Sequence, residues 1–165
     1  MNDIKNMSEV KPIPDGYHSI TPYLMIKNAT SAIEFYKKAF DAQELFRMNG
    51  PEGKTIAHAE LKIGDSVFML SDEYQEMNYL SPQSIGGSPF FMHVYVQDVD
   101  TVFNQAISAG GTVLKPVEDQ FYGDRTGTLK DPFGHLWSIA THKKDISIDE
   151  IKKKGEEMFS NKTTQ

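Results

Sequence analysis

One pattern occurs twice in this chain and constrains its fold more than any other feature. The first copy opens with residues 19–27, where Ile20, Pro22, Leu24 and Ile26 share one face and Thr21, Tyr23, Met25 and Lys27 the other. That is the period of a strand, whose successive side chains point to opposite sides. Asn28 can cap a helix, its side-chain oxygen accepting from a free N–H in the first turn. Ala29, Ala32, Ile33, Tyr36, Ala39 and Phe40 then recur at helical spacing and make one apolar stripe. Strands are predicted over 44–48, 55–63 and 66–71, with turns at Asn49-Gly50-Pro51 and Gly64-Asp65.

The order then restarts. Residues 89–97 read as a strand with Phe91, His93 and Tyr95 on one face and Phe90, Met92, Val94 and Val96 on the other. Asp98 takes the capping place, and Val99, Val102, Phe103, Ala106 and Ile107 repeat the helical stripe up to Gly110-Gly111. Strands at 112–116, 125–130 and 136–141 complete the copy. Asn28 to Asp98 and Gly64 to Gly134 are the same step of 70 residues (98 − 28 and 134 − 64). A βαβββ unit has been used twice, which gives an α+β chain. Between its last two strands Asp131-Pro132-Phe133-Gly134 forms a tight turn, with proline presetting one φ and glycine free to take a positive one.

The 165 residues suit a single domain over 17–142, with module 1 at 17–72, a linker at 73–88 and module 2 at 89–142. Residues 1–16 read as a flexible lead-in. Residues 143–165 read as a helix opened by Ser147-Ile148-Asp149-Glu150, a solvated Lys152-Lys153-Lys154 face, and a disordered tail from about 160. The polar linker reads either as a solvated connection or as a lid. A net charge of −6 argues against nonspecific nucleic-acid binding. No apolar run reaches the roughly 18 residues of a membrane span. The first residues lack a signal peptide's apolar core, and there is no cysteine, so a cytoplasmic protein is expected.

The strings DGYHSITPYLMIKNATSAIEFYKKAF, HAELKIGDSVFMLSDE and FYGDRTGTLKDPFGHLW closely resemble the PhnB-like branch of the glyoxalase/bleomycin resistance/dioxygenase superfamily, the vicinal oxygen chelate proteins. The resemblance implies two βαβββ modules whose mixed sheets curve around a shared cavity, usually in a homodimer, with exchange of modules between subunits common. It also implies where metal-using members hold a divalent ion. Those positions fall here on Thr21, Phe91, Ser138 and either Phe68 or Met69, and none of these is a good ligand. No metal or other cofactor is therefore expected. Relatives named as ubiquinone methyltransferases do not help, because no G-x-G-x-x-G turn is present.

The candidate cavity residues are Tyr23, His58, Glu60, Phe91, His93, Tyr95, Phe121 and Arg125. His58 and Glu60 lie two apart on one strand and share a face. They read as an acid/base or substrate-orienting pair, or as a polar network at a module or dimer junction. With His93 they would be scattered donors for an unusual metal site. Phe91, His93 and Tyr95 make one aromatic wall, Tyr23 the opposite one, and Phe121 with Tyr122 closes an end. Arg125 either grips an anionic or carbonyl group or braces the hairpin, with Asp124 a solvated neighbour. His135 reads as surface or turn-bonded, and Trp137 as core beneath the second helix. The function expected is metal-free binding of a small molecule in an aromatic-lined cavity. The alternatives are a metal-dependent lyase, isomerase or dioxygenase-like enzyme with a non-standard ligand set, and a structural dimer.

Overall fold

The computed structural model describes residues 10–160; residues 1–9 and the last part of the tail, 161–165, lie outside them. Both copies of the repeat fold as the spacing predicts. Strand β1 (Tyr23–Ile26) leads into helix α1 (Ala29–Phe40), then β2 (Gln43–Asn49), β3 (Ile56–Ile63) and β4 (Ser66–Asp72). After a connecting segment with the one-turn helix α2 (Pro82–Ile85) come β5 (Phe91–Tyr95), α3 (Val99–Ser108), β6 (Thr112–Asp119), β7 (Asp124–Lys130) and β8 (Leu136–His142). Helix α4 (Ile148–Ser160) ends the described chain, with Ser147 Oγ accepting from the Glu150 N–H. The sheets have matching orders, β1-β4-β3-β2 and β5-β8-β7-β6, each with one parallel pair at the first strand.

The caps act as expected. Asn28 accepts from the Ser31 N–H and Asp98 from the Thr101 N–H. Asp72, at the end of β4, adds a second anchor by accepting from the N–H groups of Asn28, Ala29 and Ile56. One carboxylate thus fixes the start of α1 to two strands of its own sheet.

Both helices lie between the sheets. Leu24, Ile26, Ala59, Leu61, Phe68 and Leu70 bury one face of the first sheet under α1, and Leu129, Trp137 and Ile139 bury one face of the second. The helices are tied by Gln105, which donates to the Lys38 carbonyl and to Asp41. Trp137 is core as expected, but its indole does not rest on the second helix alone. It packs on Phe40 and Tyr36 of α1, with ring centroids 4.5 and 5.4 Å away, because α1 and α3 share one layer. The other face of each sheet therefore points away from the helices. Within one chain those two faces do not meet, and the shared cavity implied by the resemblance is not closed by a single copy.

The turn after β7 is where the two copies are joined. Asp131 is 2 % exposed, and its carboxylate accepts from the Phe133 and His135 N–H groups, the Trp137 indole N–H and the Tyr36 hydroxyl of α1. His135, expected near the surface, is 3 % exposed, because the connecting segment folds over the turn. Pro82 packs against Gly134, which sits at φ 94°, where a Cβ would come within 2.9 Å of the Pro82 Cβ. Gln83 donates to the Pro132 carbonyl. Over 73–88 the connection is mostly exposed to solvent, with Ser81 and Pro82 buried where it folds over the turn. Glu73 holds the segment by accepting from the Ser81 N–H and the Ser84 hydroxyl, bonds that pull its carboxyl down to about 2.

Asp131→Ala leaves four buried donors without an acceptor, and we expect a loss of about 3 kcal/mol or more in urea unfolding. Tyr36→Phe removes one donor and should cost about 1–2 kcal/mol. Equal stability of Asp131→Ala and the parent protein would contradict this account of the turn.

Candidate functional site

Strand pairing decides which side chains share the outward faces. On the first sheet Tyr23 is paired with Met69, Met69 with Glu60, Glu60 with Phe46, and His58 with Met48. These stand opposite Leu24, Ala59, Leu61 and Leu70, which face α1. The reason is local: small and aliphatic residues at alternate positions of β3 can approach the helix, which leaves the imidazole and carboxylate on the other side.

The polar groups of this face form one connected line. Tyr23 Oη lies 2.9 Å from His58 Nδ1, and His58 Nε2 lies 3.2 Å from Glu60 Oε1. The second oxygen of Glu60 accepts from the Tyr17 hydroxyl. Tyr17 belongs to the segment before β1, which crosses this face and leaves a groove of about 450 Å³ lined by Pro12, Pro14, His18, Thr21, Glu60 and Met69. The Tyr17 hydrogen bond, followed by that of His58, holds the Glu60 carboxyl below its ordinary range against partial desolvation. The same bond pushes the Tyr17 phenol up to about 12.

The second sheet carries a different set. Phe91, His93 and Tyr95 point outward as predicted, with Phe91 56 % and Tyr95 62 % exposed. His93 Nδ1 lies 3.0 Å from Ser138 Oγ, and its ring meets that of Tyr95 at 4.8 Å. Tyr95 donates to Asp124, whose other oxygen lies 2.7 Å from His142 Nδ1. Asp124 is 6 % exposed, so it is a buried partner and not the solvated neighbour expected from the sequence. Hydrogen bonds to Asp124 and then Asp145 raise the His142 imidazole above its usual value. Phe121 and Tyr122 stand edge to face beyond the end of β6.

Arg125 lies elsewhere. It alternates with Gly127 and Leu129 on the helix side of β7, where Asp100 of α3 holds its guanidinium with two bonds of 2.8 Å and Asp119 adds a third at 3.3 Å. The bracing alternative describes its surroundings, and it does not face the aromatic wall. The sequence reading did not single out Tyr17, Asp124 or His142 for the site. Asp124 carried a signal: it occupies the opposite side of β7 from Leu129, an apolar residue bound to face the helix.

The positions that hold an ion in metal-using relatives can be assigned from the pairing. His93 opposes Ser138, as Tyr23 opposes Met69, so Met69, and not Phe68, is the counterpart of Ser138. A hydroxyl on Thr21, a ring on Phe91, a thioether on Met69 and a hydroxyl on Ser138 do not supply the imidazole and carboxylate donors a divalent ion needs. These residues do not fit such an ion. His58 and Glu60 lie on one sheet and His93 on the other, so one chain does not bring the three together. Among the described residues no group of three or more His, Cys, Asp or Glu is placed to hold a metal, and no helix is long and apolar enough to cross a membrane.

Residues 16–139 match the family described as the Glyoxalase/Bleomycin resistance protein/Dioxygenase superfamily. The chain is 46 % identical over 136 residues to an uncharacterized protein of Mycobacterium tuberculosis, covering 81 % of this chain and 79 % of that one. Among solved structures it is similar to TioX from Micromonospora sp. ML1, with 25 % identity, TM-score 0.59, and 79 % and 100 % of the two chains covered. The fold also matches the manganese-bound fosfomycin resistance protein FosX of Listeria monocytogenes, with 15 % identity, TM-score 0.58, and 81 % and 95 % covered.

A raised histidine stabilises the fold below its unfolded value, near 6.5, and that contribution is lost as pH rises through the higher folded value. His142→Gln should therefore be less stable than the parent at pH 5.5, and the gap should close above neutrality. Urea midpoints across that range check it; a gap that widens with pH would be the wrong sign.

Proposed function

We propose, since this chain belongs to the glyoxalase/bleomycin resistance protein/dioxygenase superfamily, that it is a PhnB-like member that binds a small, largely apolar molecule without a metal ion. The binding cavity is formed by two copies of the chain. The observation that carries this reading is the pair of sheet faces that point away from the helices, of which the first is crossed in part by the segment before β1. Each displays exposed apolar side chains, Tyr23, Phe46 and Met48 on one and Phe91 and Tyr95 on the other, around a few polar tips. Rings with one polar end give area and orientation together, as small-molecule sites require. A surface of this kind is uncommon on a monomer. In the dimer the first sheet of one copy faces the second sheet of its partner, β1 and β5 being free sheet edges. The donor chemistry at the ion positions supports the metal-free part. A cysteine-free chain suits the reducing cytoplasm, which is where this reading sets the protein.

Light scattering at micromolar concentration should report twice the chain mass, and a monomer would remove the two-copy cavity. Thermal unfolding against bleomycin and a panel of neutral aromatic compounds tests binding. A ligand at one hundred times its Kd stabilises by about 2.7 kcal/mol, a rise of several degrees in Tm. No shift with any of them would count against the reading. Stoichiometric nickel, zinc, iron or manganese in protein purified without an affinity tag would contradict the metal-free part.

A further inference from the structure

The outward face of the first sheet already has an occupant. Residues 12–19 run across it, and apart from Tyr17, which is half-buried, each of them is exposed. Pro12 and Pro14 lack the N–H that a strand ladder needs, so the segment crosses the face instead of extending the sheet at its edge. Among the described residues, none of its backbone groups bonds to a strand. The Tyr17 N–H donates to the Pro14 carbonyl, and the His18 carbonyl accepts from the Thr21 hydroxyl. Lys11 and Asp15 pair with each other at 2.7 Å. What ties the segment to the sheet is one side chain. Pro14-Asp15-Gly16-Tyr17 is a turn with Gly16 at φ 85°, and it aims the Tyr17 hydroxyl at Glu60. Glu60 is thereby supplied on both oxygens, by Tyr17 on Oε2 and by His58 on Oε1. The groove of about 450 Å³ left between Ile13 and Met69 shows that the segment rests on the face without filling it.

We propose that residues 10–19 are a strap that holds this face closed, latched by Tyr17 on Glu60, and that a ligand enters by displacing it. The inference rests on the binding reading for the face and adds how access to it is controlled. The strap supplies what an incoming apolar molecule would bring: aliphatic and ring carbons over Met69, and a hydroxyl donor for Glu60. Strap and ligand therefore compete for the same groups. A hydrogen bond to an ionised carboxylate shifts such an equilibrium by about ten- to a hundredfold. A segment with few buried contacts otherwise opens at little cost. The closed form dominates, and the apparent affinity for a ligand is reduced by the fraction of molecules that are open.

N-phenyl-1-naphthylamine, a neutral aromatic dye that brightens in apolar sites, reads that access. Tyr17→Phe keeps the ring and removes the latch. It should bind the dye about tenfold more tightly than the parent protein, with Tm within a degree or two because the bond lies outside the core. Without dye, hydrogen peroxide should oxidise Met69 several times faster in Tyr17→Phe than in the parent. A lock gives the opposite sign. The chain has no cysteine, so Tyr17→Cys combined with Glu60→Cys can be bridged by a bis-maleimide, each thiol adding across one C=C bond. The bridged protein should bind the dye more weakly than the same variant unbridged. Equal dye affinity in the parent and Tyr17→Phe, Met69 oxidised at one rate in both, or bridging that changes nothing would overturn the strap. Dye bound by neither protein would overturn it too, because a freed face has to take an apolar molecule. Thermal shifts of the parent read the binding function separately, so a protein that binds the dye equally with and without the latch loses the strap and keeps that function.

Discussion

A carboxylate in an apolar core is costly unless each oxygen is well supplied with donors, and the Asp131 carboxylate is what the rest of this structure depends on. It takes two backbone N–H groups from its own turn, the indole of Trp137 in β8 and the hydroxyl of Tyr36 in α1. Those four bonds belong to both copies of the repeat. With Phe40 and Phe68 packed around the same indole, the first helix is held against the second sheet as well as its own. Pro82 and Gln83 close over the turn from the connecting segment, which is why that segment is folded and His135 is buried.

Joining the modules through their helices has a functional consequence. Each sheet spends its apolar face on the shared helical layer and turns the other face away from it, the first being crossed by the segment before β1. These outward faces have diverged although the backbones repeat. The first carries Tyr23, His58 and Glu60 in a line, closed at one end by Tyr17. The second carries His93 with Ser138, and Tyr95 and His142 converging on buried Asp124. A hydroxyl, a ring and a thioether stand where metal-using relatives hold an ion.

Local rules made most of the fold legible. The period of β1 and β5, the caps Asn28 and Asp98, and the turn at Gly134 are decided by residues within a few positions of one another. What was misjudged depends on contacts distant in sequence. Nothing near His135 says that Pro82 will fold over its turn, and nothing near Trp137 says that α1 will share its layer with α3. Tyr17 lay in a polar lead-in whose docking on Glu60 no periodicity reports. Arg125 is a different case. Leu129 fixes the helix side of β7, and alternation back from it sets Arg125 on that side and Asp124 on the other.

Hydroxyl-radical footprinting over a dilution series reads the central claim most directly, because it reports the exposure of single methionine and aromatic side chains. If two copies cover each other's open faces, Phe46, Met48, Phe91 and Tyr95 will be protected at high concentration and will become reactive on dilution. Met77, in the connecting segment, and Met158, on α4, are exposed and belong to neither sheet, and they will react alike throughout. Open-face residues oxidised at the same rate at every concentration would show that the faces stay bare, and would contradict the account.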